Sequence, residues 1–151
     1  MPTFPAINHL SSQNNQHRQA LRQQLRQQRR DLSDKCQHQH AAGLYRQLQQ
    51  KRFYQQARHI AFYLAADGEI SMHKAIHAAW RQHKKVYLPV LSPFSKTLFF
   101  APYTKKTKMK HNRFGILEPA VALRHCKRAH QLQLICMPLV GFDSTGNRLG
   151  M

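Results

Sequence analysis

His59-Ile60-Ala61-Phe62-Tyr63-Leu64-Ala65-Ala66 is a nearly unbroken apolar run, closed by Asp67-Gly68-Glu69. A strand buried on both faces reads this way, because neither side of its pleat meets water. Ser71 stands where it can cap a helix over residues 72–83, whose Met72, Ala75, Ile76, Ala79 and Trp80 share one face. Val86-Tyr87-Leu88-Pro89-Val90-Leu91 is the next strand, with Pro89 marking a bend or a strand end. Strand, helix and strand at this spacing predict a parallel crossover. The expected fold is α/β, a three-layer sandwich with a central, mainly parallel sheet and helices on both faces.

Working outward, Leu98-Phe99-Phe100-Ala101 reads as a third strand and residues 132–140 as a fourth, with a lysine-rich loop at residues 105–111 between them. Upstream, residues 35–50 carry Ala41, Leu44, Tyr45 and Leu48 on one helical face. Asp31-Leu32-Ser33-Asp34 is a break, with Ser33 or Asp34 able to cap that helix. Residues 17–30 form a further helix in which Leu21 and Leu25 make a thin apolar line, while Arg18, Arg22, Arg26 and Arg29 recur every three or four positions. Residues 1–14, with two prolines and several amides, read as a flexible N-terminal arm, leaving residues 15–151 as one domain.

The bulk numbers agree with a single domain. The chain has 151 residues, 42% of them hydrophobic, which is not a disordered composition. Its 24 lysines and arginines stand against six acids, a net charge of +18 that calls for an anionic partner. Nucleic acid, a membrane surface or a small polyanion each satisfy that charge. Cys36, Cys126 and Cys136 are odd in number and have no paired spacing, so neither a disulfide framework nor a zinc knuckle is suggested and a reducing cytoplasm is the default. No apolar run approaches a membrane span, and the N-terminus lacks the order of a secretory signal.

Chemistry concentrates at the two ends. Arg18 and Arg22, four apart, project from one helix face, and a guanidinium fork suits phosphate oxygens. The ordinary reading of such a run is an exposed basic face. Pro138-Leu139-Val140-Gly141-Phe142-Asp143 is an apolar run with an acidic turn, followed by Ser144-Thr145-Gly146-Asn147 and Arg148-Leu149-Gly150-Met151. A strand, a turn and a glycine loop opening a helix commonly cradle phosphates. His73 and His77 have chelating spacing on a helix but lack a third ligand, so no metal site is assigned. No Ser-His-Asp or Cys-His arrangement is evident, and no catalytic side chain is assigned.

Five segments in order resemble the 5-formyltetrahydrofolate cyclo-ligase family, also called methenyltetrahydrofolate synthetases. They are Arg18-x-x-Leu21-Arg22 ending in Leu32-Ser33; Phe62-x-Leu64 leading to Glu69; Tyr87-Leu88-Pro89-Val90; the octapeptide Asn112-Arg113-Phe114-Gly115-Ile116-Leu117-Glu118-Pro119; and the stretch Pro138 to Gly150. The resemblance covers roughly residues 18–151. It implies an ATP- and Mg2+-dependent closure of 5-formyltetrahydrofolate to 5,10-methenyltetrahydrofolate. ATP phosphorylates the formyl oxygen, the second folate nitrogen attacks the activated carbon, and phosphate leaves. Such a transfer needs positioning and charge neutralisation more than a nucleophilic side chain.

By the same resemblance, Arg18, Arg22, Arg148, Leu149, Gly150 and Met151 match positions that bind ATP, and Leu64 and Glu69 match positions that contact folate. Two departures stand out: Arg18 where the family often has lysine, and Gln133 where it usually places an aspartate. The family continues past the position of Met151 with more glycines, two aromatics and a metal-associated aspartate. The expectation is therefore a domain lacking its C-terminal elements, with impaired turnover, acting as a cytoplasmic monomer on folate and ATP. The competing readings are a basic nucleic-acid-binding module, which has no reason to carry the octapeptide and the final stretch at this spacing, and an inactive fragment. Nucleic acid is otherwise expected to bind only nonspecifically, through net charge.

Overall fold

The computed structural model describes residues 6–92 and 97–150, and the backbone alone over residues 6–14. In chain order the elements are helices α1 (Ala6–Arg30), α2 (Asp34–Gln49) and α3 (Arg52–Gln56), strand β1 (His59–Ala61), helix α4 (His73–Arg81), and strands β2 (Lys85–Leu91), β3 (Leu98–Pro102), β4 (Met109–His111) and β5 (Leu117–Pro119). Two short 3-10 turns, Leu123–His125 and Ala129–Gln131, precede β6 (Leu134–Ile135), β7 (Gly141–Phe142) and β8 (Arg148–Leu149). The described chain divides into two compact units. One holds residues up to Ser33, Asp67–Glu69, and those from Pro138 onward; the other holds Asp34–Ala66 and Ile70–Met137.

The larger unit is built on a four-stranded sheet in the order β3-β2-β1-β6. β1 pairs in parallel with β2 and with β6, while β2 and β3 are antiparallel. The sheet is thus mixed, and the expected β1-α4-β2 crossover is present. Period-two alternation divides its side chains. Ile60, Phe62, Val86 and Leu88 join Tyr54, Met72, Ala75, Ile76 and Ala79 in one core cluster, with Tyr45 and Leu48 packed against it. Ala61, Tyr87 and Phe100 point the other way and pack with Leu132 and Ile135. Helices α2, α3 and α4 supply the first cluster. On the second face, the described contacts of β3 run to the two 3-10 turns.

Local chemistry explains where the elements differ from expectation. The helix read as starting at residue 17 begins at Ala6, and residues 1–5 of the expected arm lie outside the described residues. Ser71 is not the cap of α4: the N-cap is Met72, without a side-chain cap bond, and Ser71 Oγ one position earlier accepts from the His73 amide at 3.3 Å. Pro89 lies inside β2 rather than ending it. Pairing with β1 stops at Tyr87, so the missing N–H of Pro89 faces no β1 partner. The fourth strand is shorter than read: β6 spans two residues, Cys136 adds one more bond to Ala61 at 2.9 Å, and Pro138 has no N–H with which to continue.

The end of the lysine-rich loop is itself a strand, and the octapeptide turns it back as the β4–β5 hairpin. Asn112 Oδ1 accepts from the Phe114 and Ile116 amides at 2.9 and 3.1 Å, Gly115 supplies φ +71, and Asn112 Nδ2 donates to the buried Glu118 at 3.2 Å. Asparagine and glycine are required there because one side chain closes the turn and the other position needs left-handed backbone.

Candidate functional site

The smaller unit is organised by α1. With 3.6 residues per turn, Arg18, Leu21, Arg22, Leu25, Arg26 and Arg29 form one stripe, and from Arg18 to Arg29 the stripe runs about 16 Å along the axis. At the Arg18 end lies a cavity of about 340 Å³, lined by Arg18, Leu21 and Leu25 on one side and by Gly141, Asp143 and Arg148 among others on the opposite side. The second wall is the β7–β8 hairpin. It comes close enough to α1 that a Cβ on Gly141 would lie 2.7 Å from Leu25 Cδ1. Arg22 does not line this cavity. Its Nε donates to the Gly150 carbonyl at 2.9 Å, tying the residue after β8 back to the helix. The two arginines expected to act as a pair are thus used differently.

The hairpin's turn is held by one carboxylate. Asp143 Oδ1 accepts from the Thr145 amide (3.0 Å), the Thr145 hydroxyl (2.8 Å) and the Asn147 amide (2.8 Å), and Oδ2 accepts from Asn147 Nδ2 at 2.8 Å. Gly146, at φ +87, permits the reversal. The side-chain donors of Asn147 and Thr145, with the Asn147 amide, hold the Asp143 carboxyl down at about 2. This carboxylate is committed to shaping the loop that carries Arg148.

At the far end of the stripe, three arginines converge on Asp67. Arg29 Nε donates to the Asp67 carbonyl at 2.9 Å and its Nη2 to Oδ2 at 3.1 Å. Arg30 donates to Oδ1, and Arg26 Nε stands 3.9 Å from Oδ2. The hydrogen bond from Arg30, reinforced by the charges of Arg30, Arg29 and Arg26, holds the Asp67 carboxyl below its usual range. Asp67 and Gly68 both take positive φ, and a Cβ on Gly68 would stand 3.1 Å from the Arg29 carbonyl oxygen. The turn therefore lies directly on the helix end. Beyond it Glu69 is buried, with Oε1 4.0 Å from Arg29 Nη1.

Of the residues singled out in the sequence, Arg18, Arg148 and Leu149 meet around one cavity, Arg22 and Gly150 are bonded beside it, and Glu69 belongs to the same unit. Leu64 belongs to the larger unit, half-buried against its core. Met151 lies outside the described residues. Gln133 has a role of its own: its Oε1 accepts from the Arg58 and His59 amides at 2.6 and 3.0 Å, at the start of β1. The rings of His73 and His77 stack on one another at 5.1 Å, and among the described residues no three His, Cys, Asp or Glu side chains gather as a metal site. Sequence reasoning missed Arg29, Arg30 and Asp67 as a cluster. Its one signal was an aspartate before a glycine in an acid-poor chain whose arginines outnumber any evident partner.

A model of the 5-formyltetrahydrofolate cyclo-ligase family matches residues 14–151. The chain belongs to that family. A Haemophilus influenzae 5-formyltetrahydrofolate cyclo-ligase is 42% identical over 146 residues, covering 91% of this chain and 74% of the relative. An Escherichia coli 5-formyltetrahydrofolate cyclo-ligase is 41% identical over 96 residues, 63% of this chain and 53% of the relative. Among solved structures, the NMR structure of Aquifex aeolicus 5,10-methenyltetrahydrofolate synthetase superposes with a TM-score of 0.76 at 20% identity, over 89% of this chain and 66% of that one. A Mycoplasma pneumoniae 5,10-methenyltetrahydrofolate synthetase gives a TM-score of 0.57 at 19% identity, over 88% of this chain and 70% of that one. At these identities the structures establish the fold, an α/β domain with a mixed central sheet. The cyclo-ligase family is one of enzymes, and the cyclo-ligase signature runs through both units described above. No described helix is long and apolar enough to cross a membrane.

Proposed function

We propose that the chain carries the ATP-dependent conversion of 5-formyltetrahydrofolate to 5,10-methenyltetrahydrofolate. The observation that carries this reading is the cavity in which Arg18 and Arg148 face one another across the α1 stripe and the β7–β8 hairpin. Two guanidinium groups there supply planar donor forks for a polyphosphate. ATP supplies the phosphoryl group that activates the formyl oxygen. Arg18 and Arg148 hold its phosphates; Arg22 holds the Gly150 carbonyl and so keeps the loop's backbone turned toward the cavity; Leu149 continues the wall. Gly150 and Met151 belong to the same proposed loop. Leu64 and Glu69 are the proposed folate contacts, each within its own unit. Glu69 is held by its neighbours as a buried acceptor, suited to donors on a pterin ring.

Mg2+ is proposed to arrive with the nucleotide, since that ion is usually bound through phosphates, waters and only one or two carboxylates. The described residues do not form a site for it: Asp143 spends its oxygens on its own turn. No step is assigned to the ion. A three-layer sandwich goes with this reading, supported by the second apolar face of the sheet at Tyr87, Phe100 and Ile135. So does a cytoplasmic monomer; the three cysteines are free, and burial pushes the Cys136 thiol up to about 11.

The test is calorimetric titration with ATP in the presence of Mg2+, together with a search for the methenyl product. Saturable binding is expected, weakened at least about tenfold in Arg18→Ala and in Arg148→Ala, the loss of one charge-assisted contact each. Unchanged affinity in both variants sinks the nucleotide assignment. ATP consumption by 5-formyltetrahydrofolate without methenyl formation sinks the reaction.

A further inference from the structure

The larger unit contains a cavity that the proposed reaction leaves unused. It measures about 720 Å³ and is lined by His77, Trp80 and Arg81 of α4 and by Thr104, Lys105 and Lys106 of the segment after β3. Small-molecule sites commonly fall between about 300 and 1,000 Å³. One wall is aromatic. The His77 ring meets Trp80 edge-on at 5.1 Å, and Trp80 leans on Tyr103 at 5.3 Å. The other wall is cationic.

Both walls are fixed by hydrogen bonds rather than left to solvent. Trp80 Nε1 donates to the Tyr103 carbonyl at 3.0 Å, locking helix to segment. The Thr104 amide donates to Thr107 Oγ1 at 2.8 Å, the Thr107 amide returns to the Thr104 carbonyl at 3.1 Å, and the Lys106 amide reaches Thr104 Oγ1 at 3.3 Å. The two lysines are thereby presented from a closed turn.

The charge there is unbalanced. The ion pairs among the described residues involve Arg26, Arg29, Arg30 and Lys110; none involves Arg81, Lys105 or Lys106. Burial, then the charges of His73, Lys105 and Arg81, lower the pKa of His77. A cation would meet this field as repulsion, and His73 and His77 present stacked ring faces rather than a converging ligand set. An anion would meet it as attraction, and a flat one would also find an aromatic wall.

We propose that this cavity binds a small planar anion, a ring that stacks on His77 and Trp80 and bears two or more phosphate or carboxylate groups neutralised by Arg81, Lys105 and Lys106. Phosphate and carboxylate share the chemistry that these cations read, and the test separates them.

Trp80 is the chain's only tryptophan, so its fluorescence reports this cavity directly. The protein is titrated with adenosine diphosphate, with 4-aminobenzoyl-glutamate, and with tripolyphosphate, which has the charge but no ring. A saturable change with at least one ring-bearing anion is expected, and the tighter of the two identifies the anionic group. The affinity falls at least about tenfold in the K105Q/K106Q double variant, whose circular dichroism stays unchanged, and is kept in R18Q. The proposal is overturned if neither ring-bearing anion saturates, if tripolyphosphate binds as tightly, if the double variant binds equally well, or if R18Q abolishes the signal. Affinity that grows with the length of a single-stranded oligonucleotide also overturns it, because a strand-tracking surface would then be at work.

Discussion

Asp143 shows what one carboxylate does when four donors converge on it. Its pKa near 2, against an ordinary 3.8, means the folded state favours the ionised form. That contribution is complete above about pH 4 and is lost as pH falls through about 2, the sign expected for a depressed acid. Asp143→Ala is expected to release the Thr145 and Asn147 amides to solvent. Hydrogen exchange at those two amides should rise at least tenfold while exchange in β1 and β2 stays slow; unchanged protection would refute the turn's dependence on this side chain. Arg29 tests the other end of the stripe. Arg29→Lys keeps the charge but loses the fork that spans the Asp67 carbonyl and carboxylate. We expect a loss of about 1–3 kcal/mol in chemical denaturation, with faster exchange at the Gly68 and Glu69 amides. Equal stability and equal exchange would show that charge alone holds the turn. Arg18 and Glu69 were singled out at this scale by the resemblance, and the structure places Arg18 at a cavity and Glu69 in a buried position. Arg29 was not, because its partner Asp67 lies 38 positions away and nothing local distinguishes it from a solvated arginine.

At the scale of elements, α3 is the piece that sequence periodicity could not supply. Five residues are too short to stand alone as a helix. The helix persists because Lys84, from the turn after α4, donates to the carbonyls of Tyr54, Gln55 and Ala57 at 3.0, 2.8 and 2.8 Å and lies over the Tyr54 ring. Desolvation lowers the Lys84 pKa, the cost of drawing an ammonium into that position. Lys84→Met is expected to destabilise the larger unit by about 1–3 kcal/mol, read from urea midpoints; an unchanged midpoint would remove Lys84 as the cap. The crossover itself was readable because buried spacing announces it: Ala75, Ile76 and Ala79 recur with helical period against period-two strands. Ile76→Ala should cost about 2–5 kcal/mol in the same measurement. The β4–β5 hairpin was legible as an unusual octapeptide but not as a hairpin, since its strands have only three residues each and their pairing is settled by Asn112 and Gly115. Gln133 stands where the resemblance implies an aspartate, and its contacts at the start of β1 have a physical account. An aspartate at the same place could accept from two amides with a charge; glutamine does so with a neutral oxygen.

For the whole molecule the dominant quantity is a net charge of +18. Exposed like charges repel, and at about 0.15 M salt the screening length falls to about 8 Å. The thermal midpoint is therefore expected to rise by several degrees between low and moderate salt, and a fall would show that the Asp67 cluster outweighs the general repulsion. By itself the sequence determined the composition class, the crossover, the family and the residues that match its motifs, because hydrophobic period and motif spacing are local properties written along the chain. Only the tertiary structure decided that one helix serves two sites: Arg18 facing the hairpin cavity at one end, and Arg29 and Arg30 clamping Asp67 at the other. It also separated the roles of Arg18 and Arg22, and gathered Trp80, Arg81 and Lys105 around a cavity. Those assignments depend on partners dozens of positions apart in the chain, and only folding sets such distances.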